Sequence, residues 1–221
     1  METIKRVLDL VGARDASPPE SRLERLLLAC AAFLAALACA AVWGLAAGAG
    51  AGRFPIGNLA VVPILLVVST AASLPVGLLA FRLLSKSGRG SDLLLAHASA
   101  VFAGCLMLVL LSPLVALYQL SSTWVGPTVA VGSVLLAFAG GLGVLMRTLK
   151  RLTTSVGLRP FAAPAVFLVL LQLLSLSQLA SLAPPVMRSR TTFGHGIDGV
   201  LGAPAAEAAP AAPRALESAD E

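Results

Sequence analysis

The stretch that decides the fold runs from Leu23 to Ala40 and reads LERLLLACAAFLAALACA. An apolar run behind arginines is typical of a first membrane span and also of a cleaved secretory or lipoprotein signal. A cleaved signal has a short basic front end, whereas the residues before this run include the acids Glu2 and Asp9. We therefore expect the run to be retained as span 1, with lipidation at Cys39 or Cys30 as the alternative.

The composition of the whole chain is that of a membrane protein. Of its 221 residues 57% are hydrophobic and only 12% are charged, whereas about a quarter of the residues in soluble domains are charged. Four stretches carry no charged residue: 26–52, 54–81, 93–146 and 160–187.

A helix needs roughly 20 apolar residues to cross the bilayer. The longest uncharged stretch fits two spans if the chain turns at QLSSTWVGP, residues 119–127. The sequence thus predicts an all-α, polytopic membrane helix bundle, residues 21–187, with five transmembrane helices at about 25–50, 57–82, 93–119, 125–147 and 161–186.

Basic residues alternate between the two sides of this arrangement. They concentrate in the N-terminal segment and in the loops after spans 2 and 4, whereas the intervening loops hold Arg53 and no other Lys or Arg. In membrane proteins the cytoplasmic loops carry an excess of Lys and Arg. This pattern predicts a cytoplasmic N-terminus and an external C-terminus, against which stand Arg188, Arg190 and Arg214. The net charge of +5 is then an orientation signal, and no aromatic-and-basic motif indicates nucleic-acid binding.

The chain is rich in Ala and contains 13 Arg against 3 Lys, a bias associated with high-GC bacterial genomes. We therefore expect a multi-pass protein of a bacterial inner membrane. Before the bundle, residues 1–20 form a cytoplasmic segment whose apolar positions suit a short amphipathic helix, or a frayed terminus. Ser21 and Glu24 have the spacing of a capping box at the start of span 1. The Ala- and Pro-rich tail, 188–221, is predicted to be disordered.

Two groups of small residues predict close helix packing. In lipid such residues let helix backbones approach each other, and this packing drives association. The alternative is that an Ala-rich composition produces these spacings by itself. The predicted helix-packing residues are Ala32, Ala36, Ala40, Gly44 and Gly48 in span 1, and Gly140 and Gly141 in span 4.

Acidic residues are nearly absent from the bundle. Between Arg25 and Asp198 the chain has one acid, Asp92, which we expect to cap span 3 at the interface. With no carboxylate expected inside the membrane, ion-coupled transport and general acid–base catalysis both lack the group they usually need.

Other polar residues within the spans are candidates for a polar intramembrane face: His97, Gln172, Ser175, Gln178 and Ser181. Hydrogen bonding between helices is the commoner use of such residues, and a ligand path is the alternative. We expect His97 to be a hydrogen-bonded residue near the interface. A Ser–His pair for intramembrane proteolysis would require Ser133 to contact His97. The two residues differ in depth by roughly 12 Å, so this pair is not expected.

No catalytic, cofactor-binding or metal-binding residues are predicted. The three cysteines, Cys30, Cys39 and Cys105, form no Cys-x-x-Cys motif and have no acid or histidine near them in the sequence. We expect them to act as small apolar residues.

Three segments carry a resemblance to a known family: VVPILLVVSTAASLP at 61–75, LSPLVALYQLSS at 111–122 and AFAGGLGVLMRTLKRL at 137–152. In helix pattern and proline placement, over roughly residues 21–186, the chain resembles bacterial Yip1-like membrane proteins. The resemblance implies a five-span bundle with a cytoplasmic N-terminus. Eukaryotic relatives are implicated in membrane trafficking and bind small GTPases, but the polar N-terminal motifs of that role are not visible here.

These observations predict a non-enzymatic scaffold or accessory subunit of a membrane complex. It would contact the lipid bilayer and hold a membrane-protein partner, or a second copy of itself, through the small-residue faces of spans 1 and 4. The alternative is a small permease or transport component that uses the polar face of span 5. No cofactor is expected in either case.

Overall fold

The computed structural model describes residues 8–9, 12, 21–49, 56–84, 89–122, 125–152 and 159–187. Within these ranges it contains no strand and five long helices: α1 Arg22–Ala47, α2 Gly57–Leu84, α3 Gly90–Ser121, α4 Val125–Leu152 and α5 Arg159–Met187. The predicted all-α bundle is confirmed, and each predicted span boundary lies within five residues of the observed helix end.

The outside of the bundle is apolar. Helices α1 to α4 are long and apolar enough to cross a membrane, and at most 33% of the apolar window of each is buried within the protein. Large side chains such as Leu34, Leu110 and Leu135 point outward. Soluble proteins rarely expose such continuous apolar surface, so the chain is a multi-pass membrane protein. In α5 the described apolar segment is Ala163–Leu179.

The start of α1 is set by a side-chain cap. Ser21 has extended backbone angles, and its Oγ accepts a hydrogen bond from the backbone N–H of Glu24 at 3.0 Å. This bond satisfies one of the N–H groups that the first helical turn leaves without a partner. The Ser-x-x-Glu spacing therefore predicted the start of the helix correctly.

Helix α3 is the centre of the bundle. It packs along its length against α1 on one side and α4 on the other, whereas α2 packs against α5 and α1. Contacts between α4 and α5, and between α2 and α3, are sparse. The five helices thus enclose a central region that is closed tightly by some pairs and loosely by others.

The tightest helix pairs meet at glycines. A Cβ atom added at Gly44 of α1 would lie 2.6 Å from the backbone oxygen of Asn58 in α2. One added at Gly141 of α4 would lie 2.9 Å from the backbone oxygen of Ala100 in α3. Any larger residue would push these backbones apart, and close backbone approach is the main source of helix association in lipid.

Apolar clusters close the two ends of the bundle. At one end a cluster joins α2, α3, α4 and α5 through Phe81, Leu93, Leu145 and Leu168. At the other end a second cluster joins α1, α3 and α4 through Trp43, Ala47, Val115 and Ala130. The packing is therefore dense at both ends, and the space between them is where a cavity remains.

An ion pair ties the start of α1 to the start of α3. Arg25 Nη1 lies 3.0 Å from Asp92 Oδ1, and each side chain is 11% exposed. Asp92 Oδ1 makes no hydrogen bond of good geometry, so the contact is electrostatic. The N-cap position of α3 is Arg89, without a side-chain cap. The predictions that Asp92 caps this helix and that no carboxylate is buried were wrong, because the packing of α1 against α3 covers Asp92.

Two predicted regions lie outside the described residues. These are the cytoplasmic N-terminal segment, of which only residues 8, 9 and 12 are described, and the tail from residue 188 onward.

The close contact of Gly141 in α4 with α3 can be tested by comparing two substitutions in α4. We expect Gly141→Ala to lower the free energy of unfolding in detergent by about 1–3 kcal/mol, because the methyl group meets backbone that cannot rotate away. Gly143→Ala is the matched control, since a Cβ there has nothing within 4 Å. Equal stability of the two variants would contradict the close contact.

The ion pair gives a second test. We expect Asp92→Asn to lower the free energy of unfolding by about 2 kcal/mol, between the values typical of exposed and of fully buried pairs, because Arg25 loses the charge of this carboxylate. The double variant Arg25→Gln with Asp92→Asn should be more stable than the sum of the two single effects predicts. Strict additivity in the same unfolding assay would show that the two charges do not interact.

Candidate functional site

The small-residue ridge of α1 lies inside the bundle. Ala32, Ala36 and Ala40 are buried in a cluster with α3 residues that include Phe102. Gly44 faces the backbone of α2, and Gly48 is the C-cap of α1. This ridge is used for contacts within the chain and offers no surface to a partner in this structure.

The glycines of α4 also face inward. Gly141 lies against the backbone of Ala100, and a Cβ atom at Gly140 would collide with the side chain of Met107. Both positions belong to the contact between α3 and α4. The two faces that the sequence analysis assigned to a partner are therefore occupied by the protein's own helices.

The polar residues of α5 do not form one face. Gln172 is buried, and its Nε2 donates a hydrogen bond to Thr70 Oγ1 of α2 at 3.1 Å. Ser175 is half-buried and Gln178 is exposed. The backbone of Ser181 belongs to α5, but its side chain lies outside the described part of the structure. Gln172 thus links two helices, which is the commoner use of such a residue.

A hydrogen bond that the sequence analysis missed joins α1 to α4. Trp43 Nε1 donates to Ser133 Oγ at 3.2 Å, and Ser133 Oγ donates in turn to the carbonyl of Ala130 at 2.7 Å. The hydroxyl of Ser133 thus accepts one hydrogen bond and donates another, and His97 is the partner in neither. A tryptophan near the end of one span and a serine near the start of another were the only signals in the sequence.

His97 departs from what the sequence analysis expected. Its side chain is 2% exposed, and neither Nδ1 nor Nε2 has a hydrogen-bond partner. The expectation that this side chain is hydrogen-bonded was wrong, and its place near the interface stays a prediction. The tight packing of α1 and α4 around α3 buries this position, and it brings no donor or acceptor within reach of the ring.

His97 borders an intramembrane cavity of about 390 Å³. All five helices contribute to its wall, which is almost entirely apolar, and no Asp, Glu, Lys or Arg lines it among the described residues. The polar side chains at the wall are His97, Gln119, Gln172 and Ser177. The structure thus brings two of the predicted polar residues, His97 and Gln172, to one cavity.

The wall of the cavity reaches the outer surface of the bundle at α4. Val131 and Leu135 of α4 line it, and they are 37% and 57% exposed at the outer surface of the bundle. On the α5 side the wall includes Leu173 and Leu176, which are half-buried. Because α4 and α5 make few contacts, we infer that the cavity opens between these two helices, toward the hydrocarbon of the membrane.

The geometry suits binding of a hydrophobic molecule. Ligand sites are typically concave and mostly apolar, about 300–1,000 Å³ in volume, with a few polar groups that fix orientation. Apolar cavities of this kind stay dry and accept apolar molecules. In the described ranges no group of three or more His, Cys, Asp or Glu side chains could hold a metal ion.

No family model, curated protein or solved structure matches the chain. The resemblance to Yip1-like membrane proteins therefore rests on the sequence pattern alone.

The hydrogen bond of Gln172 with Thr70 can be measured by a double-mutant cycle. We expect Gln172→Leu and Thr70→Val to be non-additive, with a coupling energy of about 0.6–1.7 kcal/mol, as found for side-chain hydrogen bonds between membrane helices. The measurement is the free energy of unfolding of each variant in detergent. Thr70→Ser keeps the hydroxyl and is the control, which should retain most of the coupling. A coupling near zero would show that the bond does not form.

Proposed function

We propose that this protein takes up a hydrophobic molecule from the bilayer into its central cavity and acts as a small permease or transport component. The observation that supports the proposal is the cavity, with its apolar wall from all five helices and its mouth toward the lipid between α4 and α5. A hydrophobic molecule already dissolved in the membrane reaches such a mouth without crossing water.

The sparse contact between α4 and α5 supports uptake through this side. Helices that make few contacts separate at low energetic cost, because no close backbone packing has to be broken. The opposite wall, formed by α1 and α3, is densely packed around Ala32, Ala36 and Phe102. A rigid wall facing a loose one is the arrangement that a binding cavity with a lateral entrance requires.

The scaffold or accessory-subunit hypothesis loses its main argument. It depended on small-residue faces of α1 and α4, and those faces are buried within the chain. It stays a prediction without a surface assigned to it. The proposed function requires no catalytic step, in agreement with the expectation that the chain is not an enzyme.

The proposal includes a location and an orientation. We place the chain in a bacterial inner membrane with its N-terminus in the cytoplasm, as the distribution of Lys and Arg indicates. The ends of α2 and α4 carry Arg82, Lys150 and Arg151. Arg25 and Asp92, near the starts of α1 and α3, lie at that same end of the bundle. The mouth of the cavity then opens within the hydrocarbon and not into either aqueous phase.

Blocking the cavity should abolish retention of the bound molecule. We expect the protein purified from its own membranes in mild detergent to carry an equimolar lipophilic compound, detected by solvent extraction and mass spectrometry. Leu173→Trp should reduce the compound at least tenfold, because a larger side chain fills the cavity from α5.

The matched control is Leu174→Trp, one residue further along α5, where the side chain is exposed and does not line the cavity. It should retain the compound at the wild-type level. Absence of any equimolar compound in the wild-type protein, or equal loss in both variants, would contradict the proposed function. A stoichiometric protein partner found instead would favour the accessory-subunit hypothesis.

A further inference from the structure

The unpartnered imidazole of His97 is the feature of the cavity that packing does not explain. A buried polar group without a hydrogen bond destabilises a protein, and such groups are rare in folded structures. Here both ring nitrogens are buried and without a partner, and the side chain lies at the wall of the cavity. A ligand inside the cavity can supply the missing partner.

The wall restricts the charge of that ligand. No charged side chain lines the cavity within the described part of the chain. The nearest acid along α3, Asp92, is held by Arg25. A carboxylate or phosphate drawn into this apolar space would lose its hydration without gaining a counter-charge, which is costly. A neutral molecule avoids this cost.

The imidazole also restricts the polar group of the ligand. A neutral histidine offers one N–H donor and one acceptor nitrogen. A carbonyl oxygen accepts from the donor, and a hydroxyl group can pair with either nitrogen. Apart from Gln119, Gln172 and Ser177, the remaining wall is apolar, with residues such as Ala100, Gly104 and Phe138, and suits a hydrocarbon body.

We propose that the ligand is a neutral lipophilic molecule with a carbonyl or hydroxyl group, and that His97 recognises this group by a hydrogen bond. The proposal rests on the proposed function, because it concerns the same cavity. His97 lies seven residues after Gly90, roughly 10 Å along α3 at the rise of a helix. The polar group of the ligand is therefore oriented toward the α3 N-terminal end, and its hydrocarbon part toward the mouth at Leu135.

The test is a titration of the full-length protein in nanodiscs with four lipophilic probes. A benzoquinone with a decyl tail carries carbonyls, and farnesol carries a hydroxyl group; decane has no polar group, and palmitate is an anion. The variant His97→Phe keeps a flat ring without hydrogen-bonding atoms, and His97→Gln keeps a donor and an acceptor.

We expect the quinone and farnesol to bind the wild-type protein at one site, and the tighter of the two indicates whether a carbonyl or a hydroxyl group is recognised. His97→Phe should weaken their binding about tenfold, the effect of one hydrogen bond to a buried group. Decane binding should not change, and His97→Gln should bind both polar probes nearly as tightly as the wild-type protein.

Stability of the ligand-free protein separates recognition from a structural role. We expect His97→Phe to raise the Tm, because it removes an unpartnered polar group from apolar surroundings. If His97 served only to pack the helices, His97→Phe would lower the Tm. A lower Tm together with unchanged affinities would overturn the proposal.

The outcomes distinguish this inference from the proposed function. If none of the probes binds the wild-type protein, the proposed function itself fails. If the polar probes bind the wild-type protein and His97→Phe equally well, the cavity binds hydrophobic molecules but His97 does not recognise them. Tightest binding by palmitate would overturn the inference, because it would show that the cavity prefers an anion.

Discussion

The structure depends on close backbone approach between helices that have no hydrophobic reason to associate. In a bilayer the lipid tails are as apolar as the helix surfaces, so packing and hydrogen bonding must hold the bundle together. Gly44 against α2 and Gly141 against α3 are two of the close approaches. The Arg25–Asp92 ion pair and the bonds of Trp43 and Gln172 add polar links between helices that lie far apart in the sequence.

The same constraint explains where the cavity lies. Helix pairs with glycine or alanine contacts close tightly, and α1, α3 and α4 form a continuous wall in this way. Between α4 and α5 the contacts are sparse, and the side chains that line the gap are large and apolar. Apolar clusters at both ends then leave an apolar space in the middle of the bundle. A hydrophobic ligand in this space would supply the packing that the helices do not.

The number and limits of the helices could be predicted because they follow from properties of local sequence. Uncharged stretches have a length fixed by the bilayer, and Ser21 with Glu24 marks a helix start. The faces that pack inward could not be predicted in α2 and α3, since their residues are apolar all round and carry no amphipathic signal. The pairs Trp43–Ser133 and Thr70–Gln172 are separated by 90 and 102 residues, and no local pattern links them. His97 was misjudged because buried polar groups usually have partners, and the packing that leaves this ring without one is not visible in the sequence.

Fluorescence of Trp43 tests the central claim most directly, because this side chain is buried and lines the cavity. With Trp124→Phe it becomes the only tryptophan of the chain, and a brominated neutral lipophile serves as the quencher. A cavity that takes up one molecule from the membrane predicts quenching that saturates at an equimolar ratio and is reversed by the unbrominated compound. Quenching that rises in proportion to the concentration of the brominated compound in the bilayer, or no quenching at all, would contradict uptake into the cavity.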